Sequence, residues 1–433
     1  MRLQEFRRAW VMATALATVW TICVDATRGQ GCDVTQEAKF VASDSGPGDL
    51  FGNWVSLDGD SMIVGAPLDN DAGTDSGSAY VFVRSGGVWT QEAKITANDA
   101  AANDQFGYRV AISGDTVLVG AVQDGDAGMN SGSAYVFVRA DGSWTQQQKL
   151  TASDAAAADT FGISVAVDGD TAVVGAYNHG HAGMYAGAAY VFVRSAGVWT
   201  QQAELNAVDA QPNQRFGRSV SINGGTVAVG TYGESAYIFV RSGTTWMQET
   251  KLVAADGQSS DSFGVSVAID GDAVVIGAFS DQDAGFSAGS AYAFVRSTGV
   301  PVWTQQGKLI GADTSANDGF GISVTISGDT AVVGAIRNDN TGGSDAGSAY
   351  AFELDCEGAC CVRGACANVR QVACDAYDGV YFSFGSGAFC NDVTCPSICG
   401  ADIIPCPSGD GVVDIFDILG VLDGFEGEDC CTP

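Results

Sequence analysis

Short apolar runs separated by glycine-containing turns recur along the chain. In one copy of this pattern, runs rich in Val, Ala, Phe, Tyr and Trp occupy Ile163–Val167, Thr171–Ala176, Ala189–Arg194 and Trp199–Leu205. Each run has the length and composition of a β-strand. Between the first two runs, Gly169 supplies the positive φ that a tight hairpin turn requires. The pattern therefore predicts a unit of four antiparallel strands.

The unit is repeated six times, and each copy is marked by a Phe-Gly pair. The phenylalanines, about 55 residues apart, are Phe51, Phe106, Phe161, Phe216, Phe263 and Phe320. A repeat of this size cannot bury its own apolar face and must stack on its neighbours. Six four-stranded units predict an all-β fold, a six-bladed β-propeller. An open stack of repeats is the alternative.

The two ends of the repeat region predict how the ring closes. The sixth copy stops after its third strand, Ala349–Glu353, while the sequence of Thr35–Lys39 is identical to that of Thr90–Lys94. An N-terminal strand that completes the last blade would remove open sheet edges, which invite aggregation. Cys32 and Cys356 would then bracket the one turn that the chain does not cover, which predicts a disulfide between them. Pairing of Cys32 elsewhere in the C-terminal cysteine cluster is the alternative.

Three motifs of the third copy carry a family resemblance: Phe161-Gly162-Ile163-Ser164-Val165, Ala172-Val173-Val174-Gly175-Ala176 and Ala189-Tyr190-Val191-Phe192. They resemble the FG-GAP repeat, which builds the β-propeller of integrin α-subunits and of many exported bacterial proteins. The resemblance covers about residues 33–355 and implies binding of a ligand or partner on a loop face, often with calcium. The integrin-type calcium loop lies between the first two strands, where this chain has only a tight turn, so that calcium site is not carried over.

The charge limits the kinds of partner, and the N-terminal segment indicates an exported protein. With 20 Lys and Arg against 51 Asp and Glu, the net charge is −31, which should repel nucleic acid and anionic membranes and attract cations. Residues 1–29 resemble a signal peptide, because Arg2, Arg7 and Arg8 precede the apolar run Ala9–Val24. An uncleaved anchor is the alternative. We expect a secreted or cell-surface monomer that does not insert into the membrane after cleavage.

The cysteines agree with export and delimit the C-terminal region. Eleven of them lie between Cys356 and Cys431, and none lies between residues 33 and 355. In an exported chain this pattern predicts disulfides. We therefore divide the chain into a signal peptide (1–29), the propeller (33–355), a disulfide-stapled module (356–399) with zinc binding as the alternative, and a tail (400–433).

The tail resembles one half of a dockerin or EF-hand-like calcium loop that leads into a short helix. Asp410, Asp414 and Asp417 match loop positions five, nine and twelve, and oxygen ligands at such positions bind calcium. Cys406 stands where the first Asp is expected, so the motif is degenerate.

The acidic residues of the repeats collect on one face, which we call the long-loop face. It comprises the loops between strands two and three of each blade and the linkers between blades. The loops carry an Asp-x-Asp pair in three copies, at Asp69/Asp71, Asp124/Asp126 and Asp281/Asp283. The linkers carry Asp-x4-Asp before Phe-Gly. One interpretation is a ring of calcium sites; the other is that these carboxylates accept backbone N–H bonds and fix the turns.

The third copy differs from the others at this loop. It has His179 and His181, the only histidines in the sequence, where other copies have Asp. A His-x-His pair can bind zinc or copper, but the sequence shows no third ligand nearby, which favours simple divergence at an exposed loop.

Near-equivalence of the blades favours a binding or adhesion module over an enzyme, because an enzyme should concentrate unique polar residues in one place. We expect an extracellular protein or glycan as the ligand, bound on the long-loop face with calcium as the candidate cofactor, and we assign no catalytic residue. An enzyme acting on polysaccharide and a purely structural surface component are the alternatives.

Overall fold

The computed structural model describes residues 38–297, 301–339 and 343–354, together with the backbone of three later strands. Every regular element in this part of the chain is a β-strand. Within it, no helix has the length and apolar character needed to cross a membrane.

Six antiparallel sheets follow one another along the sequence, in the order expected for propeller blades. Blade 1 contains β1 (Val55–Asp58), β2 (Ser61–Ala66), β3 (Ser78–Ser85) and β4 (Val88–Ile95). Blade 2 contains β5 (Phe106–Ser113), β6 (Thr116–Ala121), β7 (Ser133–Ala140) and β8 (Ser143–Leu150). Blade 3 contains β9 (Ser164–Asp168), β10 (Thr171–Ala176), β11 (Ala188–Ser195) and β12 (Val198–Leu205).

The second half repeats this plan. Blade 4 contains β13 (Ser219–Asn223), β14 (Thr226–Gly230), β15 (Ala236–Ser242) and β16 (Thr245–Leu252). Blade 5 contains β17 (Phe263–Asp270), β18 (Ala273–Ala278), β19 (Ser290–Arg296) and β20 (Trp303–Leu309), and blade 6 contains β21 (Phe320–Ser327), β22 (Thr330–Ala335) and β23 (Ser348–Glu353). Within each blade the strands pair in sequence order. The six-bladed propeller is therefore confirmed, and the strands predicted for the third copy agree with the observed ones to within one residue.

The hydrophobic core lies between consecutive blades. Each cluster of buried side chains combines residues of two neighbouring sheets, as where Val136 of blade 2 and Val174 of blade 3 share one cluster. In blades 2 to 6 the Phe of the Phe-Gly pair belongs to this core: Phe106 is fully buried and contacts Tyr135 edge-on, with ring centroids 5.5 Å apart. Such an edge-to-face contact adds about 0.5–1.5 kcal/mol to simple burial.

A glycine in the second strand lets neighbouring blades approach closely. A Cβ on Gly120 of blade 2 would lie 2.2 Å from the carbonyl oxygen of Gly162, which belongs to the Phe-Gly pair of blade 3. No side chain fits at that distance. This glycine of the second strand is therefore fixed by the contact between blades.

Blade 6 has three strands in the part of the chain that the structure describes. The predicted completing strand, Thr35–Lys39, lies mostly outside the described residues, and its described end, Ala38 and Lys39, is not in a strand. Val55 and Leu57 of β1 are 56% and 62% exposed, although their counterparts in the other blades pack against the preceding blade. Closure by an N-terminal strand is thus not seen among the described residues.

Past residue 354 the structure describes the backbone of β24 (Gly358–Val362), β25 (Ala365–Val369) and β26 (Val380–Phe382). These strands form one small sheet in the order β25-β24-β26. The predicted signal peptide, the Cys32–Cys356 disulfide, and the calcium ligands Asp410, Asp414 and Asp417 lie outside the described residues.

Candidate sites on the long-loop face

The acidic pair of blade 1 surrounds a lysine. Lys94 Nζ lies 2.7 Å from Asp44 Oδ2 and 2.9 Å from Asp69 Oδ2, and it also pairs with Asp71. The Tyr80 hydroxyl donates to Asp69 Oδ2 at 2.7 Å, and the lysine ammonium lies 5.2 Å from the centre of the Tyr80 ring. Linker, loop and fourth strand together thus build a cage of three carboxylates around one ammonium group, which we call the lysine cage.

The inner carboxylate of this cage has a protein partner on each oxygen. Asp69 is buried, and its Oδ1 accepts a bond from the Asp71 N–H at 2.9 Å. Burial raises the pKa of Asp69, but the bonds from the Asp71 N–H, Tyr80 and Lys94 outweigh it and hold that pKa below its usual value. The carboxylate therefore stays ionised at neutral pH and also fixes the turn of its own loop.

Blades 2 and 5 repeat the lysine cage. Lys149 Nζ lies 2.8 Å from both Asp99 Oδ2 and Asp124 Oδ2 and 2.6 Å from Asp126 Oδ2. Lys308 Nζ contacts Asp256, Asp281 and Asp283 at 2.9, 2.8 and 2.6 Å. Blade 4, whose loop is shortened, keeps only a pair: Lys251 Nζ lies 2.6 Å from Asp209 Oδ2.

The predicted calcium ligands of the three loops already contact a lysine. The structure brings together each pair, Asp69/Asp71, Asp124/Asp126 and Asp281/Asp283, but it places an ammonium group at the point where their oxygens converge. A calcium ion would have to displace that lysine. Calcium binding at these loops stays a prediction, and the sequence pattern had not revealed the lysine.

The second Asp of each linker bonds to its own turn. Asp104 Oδ2 accepts a bond from the Ala101 N–H at 2.7 Å, and Asp159 and Asp318 accept equivalent bonds at 2.8 Å. These are the backbone contacts that the turn-fixing interpretation predicts.

Blade 3 replaces the lysine cage with a different set of side chains. Glu204 occupies the position of Lys94, and His179 and His181 occupy those of Asp69 and Asp71. The ligand atoms of these three side chains lie within 4.8 Å of one another. Glu204 was not predicted from the sequence as the third residue; the signal that could have revealed it is the lysine at this position in every other complete blade.

The electrostatics of this cluster differ from those of the lysine cage. Partial desolvation of the largely exposed His181 lowers its pKa, and His179 adds to that effect, while Glu204 and Asp154 oppose it. Tyr190 is fully buried beside His179, with ring centroids 6.1 Å apart, and its hydroxyl has no hydrogen-bond partner in the described structure. Burial, Asp154 and Glu204 raise the pKa of Tyr190.

A second irregular feature lies where blade 3 meets blade 4. The Arg215 guanidinium lies 5.2 Å from the ring centre of Tyr177, 5.4 Å from that of Tyr185 and 5.8 Å from that of Tyr232. Tyr185 is 36% exposed and Tyr232 46% exposed. We call these four residues the Arg215 cluster; among the described residues Arg215 forms no ion pair.

The central channel of the propeller is lined by the first strands of the blades. A cavity of about 110 Å³ is bounded by residues that include Trp54, Arg109, Ser164, Arg218 and Ile322. The Arg109 guanidinium lies 4.2 Å from the Trp54 ring centre, and burial lowers its pKa to about 10. The residues lining this cavity supply serine and arginine but no carboxylate.

Comparison with known proteins identifies the repeat. Six stretches of the chain match the family model of the FG-GAP repeat: residues 34–82, 89–137, 144–192, 199–244, 246–294 and 303–352. No curated protein sequence matches significantly. Among solved structures, that of a Bacteroides uniformis protein described as a 6-phosphogluconolactonase is similar with a TM-score of 0.47 and 12% identity, over 70% of this chain and 84% of that one. A likeness at this level carries no argument about activity.

Proposed function

This chain belongs to the FG-GAP repeat family, and on that premise we propose that it is an extracellular or cell-surface binding module for a protein partner, engaged through the long-loop face around the Arg215 cluster. The propeller fold is consistent with a surface binding module. Residues 1–29 and the concentration of cysteines support export.

The observation that carries this proposal is the composition of the Arg215 cluster. Arginine and tyrosine are the side chains enriched at the energetic centres of protein interfaces. Loops of the same face add exposed apolar side chains: Met184, next to Tyr185 in the sequence, is 68% exposed, and Met129 and Phe286 on the loops of blades 2 and 5 are 77% and 67% exposed. Methionine and aromatic residues are likewise enriched in interface cores.

The overall charge indicates the kind of partner. A net charge of −31 favours a partner that presents lysine and arginine and disfavours polyanions. Because a lysine already occupies the point where the loop carboxylates converge, we assign the contact to the Arg215 cluster rather than to a ring of calcium ions.

We propose binding rather than catalysis because the blades repeat one another closely. Where they differ, around Arg215 and His179, the side chains lie on the open long-loop face. The channel lining offers no pair of carboxylates of the kind that glycoside hydrolysis uses. A purely structural role is separated from binding by the following test.

The test compares capture of extracellular proteins by the immobilised wild-type chain and by an Arg215→Asn, Tyr232→Ser double variant. Asn is chosen because Arg215 has a φ of 55°, which Asn tolerates. We expect retention of a specific protein to fall at least tenfold, which corresponds to about 1.4 kcal/mol.

The matched control is Arg241→Gln, which removes an arginine that lies over Trp246 in blade 4. This control should retain the partner. Equal protein capture by all three chains would overturn the proposal. If the double variant differs from wild type only in its retention on a column of immobilised glycans, the ligand is a glycan.

A further inference from the structure

Three coordinated replacements distinguish blade 3 from blades 1, 2 and 5. In those blades, two loop aspartates hold a lysine. In blade 3 the lysine is replaced by Glu204 and the two aspartates by His179 and His181. The change removes the resident cation and supplies two imidazoles and a carboxylate in its place.

Neighbouring carboxylates orient the first histidine. His179 Nδ1 lies 3.1 Å from Asp159 Oδ2, a contact in which an Nδ1–H would donate to the carboxylate and leave Nε2 as the nitrogen that can bind a metal. A carboxylate that holds the second nitrogen of a histidine in this way is typical of metal sites. Asp154 Oδ2 lies 3.5 Å from His179 Nε2 and adds an oxygen donor at the same place.

The other two side chains are placed to complete a site. Glu204 Oε1 accepts a bond from Asn206 Nδ2 at 2.8 Å, which leaves Oε2 available. Donor atoms that bind one zinc ion at about 2.0–2.1 Å lie about 3.3 Å apart. The three donors here lie within 4.8 Å of one another, and since His181 and Glu204 are exposed, their side chains can close that difference.

A buried hydroxyl beside the cluster lacks a partner. In blades 1, 2 and 5 the equivalent tyrosine donates to the loop aspartate, as Tyr135 does to Asp124 at 2.7 Å. Tyr190 is fully buried at this position, but its hydroxyl has no hydrogen-bond partner in the described part of the chain. Asp154 interacts with this hydroxyl and raises its pKa, but the loop acceptor that the other blades supply is replaced here by His179, and a water molecule on a metal ion would take its place.

We propose that His179, His181 and Glu204 bind one divalent late first-row transition metal ion, Zn²⁺ or Cu²⁺, on the long-loop face of blade 3. Imidazole nitrogen suits these metals, and two histidines with one glutamate form a known zinc ligand set that leaves a position open for water. The site does not depend on the proposed partner, since none of its three residues belongs to the Arg215 cluster.

The test uses the full chain, with Zn²⁺ titrated by calorimetry and Cu²⁺ followed by electron paramagnetic resonance. The single variants His181→Ala and Glu204→Gln alter exposed side chains, so both should fold. We expect wild type to bind one more metal ion per chain than either variant, or to bind it at least tenfold more tightly. The Cu²⁺ spectrum should show coupling to two nitrogens, falling to one in His181→Ala.

Asp283→Asn is the matched control, because Asp283 holds the position of His181 in blade 5 but belongs to a lysine cage. It should bind metal as wild type does. Since the cysteines could also bind zinc, only the difference between wild type and the two variants counts. Binding that is identical in all four chains, or a Cu²⁺ spectrum without nitrogen coupling, would overturn the proposal.

Discussion

At the scale of single residues, one position decides what the long-loop face holds. Where it is Lys94 or Lys149, an internal ammonium group contacts three carboxylates; where it is Glu204, that ammonium group is replaced by a carboxylate, and we propose that an external cation binds there. The aspartates were predictable from the sequence because they are adjacent in the loop. Their lysine partner was not, because Lys94 lies 23 residues after Asp71 and only the pairing of β3 with β4 brings it there.

Removal of Lys94 should destabilise the protein and open the lysine cage to calcium. Lys94→Ala should lower the free energy of unfolding by about 1–3 kcal/mol, because it leaves the buried Asp69 carboxylate without its counterion. It should also create a calcium response, since Asp44, Asp69 and Asp71 would then converge on a vacant position. The measurement is thermal unfolding in millimolar calcium and in EDTA, where calcium at 100 times its Kd adds about 2.7 kcal/mol.

The control for this prediction is Lys251→Ala in blade 4, which has a single carboxylate partner, Asp209. Only Lys94→Ala should gain stability from calcium relative to wild type. An equal calcium shift in wild type and Lys94→Ala would mean that the cage does not exclude calcium.

At the scale of strands and blades, the hydrophobic pattern was sufficient for the strands but not for the contacts between blades. β10 was predicted at Thr171–Ala176 and is observed there, because a short apolar run bounded by turn glycines is a local signal. The repeated glycine in the second strand is required by a contact with residues distant in the sequence. The contact is with the backbone of the following blade, whose Gly321 carbonyl oxygen would lie 1.9 Å from a Cβ on Gly277.

Gly277→Ala should therefore destabilise the propeller by about 3 kcal/mol, because a rigid backbone atom cannot move aside. Gly334→Ala in blade 6 is a matched comparison. At both glycines a serine hydroxyl lies 2.4 Å from the added Cβ, but no backbone of a following blade is within reach of Gly334 in the described structure. Chemical denaturation should show a clearly smaller loss for Gly334→Ala. Equal losses of unfolding free energy in the two variants would show that another strand pair packs against β22 of blade 6, just as blade 6 packs against β18 of blade 5.

At the scale of the whole molecule, the net charge of −31 does not show that the acidic residues recur at the same positions of successive blades on the long-loop face. The sequence was sufficient to predict a six-bladed propeller and an acidic loop face, since both follow from repetition. The sequence could not predict the Arg215 cluster, because its tyrosines come from two different loops. Tyr177 and Tyr185 lie near the start and the end of the loop of blade 3, and Tyr232 lies near the start of the loop of blade 4. Repetition reveals what blades share, whereas a binding site in a repeat protein arises where they differ.

The internal pairing also predicts how stability depends on pH. The pKa values of Asp69, Asp124 and Asp281 are below the ordinary value, as burial is outweighed by hydrogen bonds that include those from the lysines. A carboxylate with a lowered folded-state pKa contributes stability above its unfolded pKa of about 3.9, and this is lost as pH falls through the folded value. The free energy of unfolding, measured in urea at constant ionic strength, should therefore fall below pH 4.

Lys149→Met is the variant that isolates the lysine cage, because Asp124 would lose a hydrogen bond and an opposite charge and its pKa would rise toward or above the ordinary value. The folded variant would then bind protons at nearly the same pH as the unfolded chain, and its stability should fall less steeply with acid than that of wild type. Parallel pH profiles for the two chains would mean that the cages do not govern acid stability. In that case protonation of other carboxylates, rather than loss of the lysine pairs, would unfold the propeller.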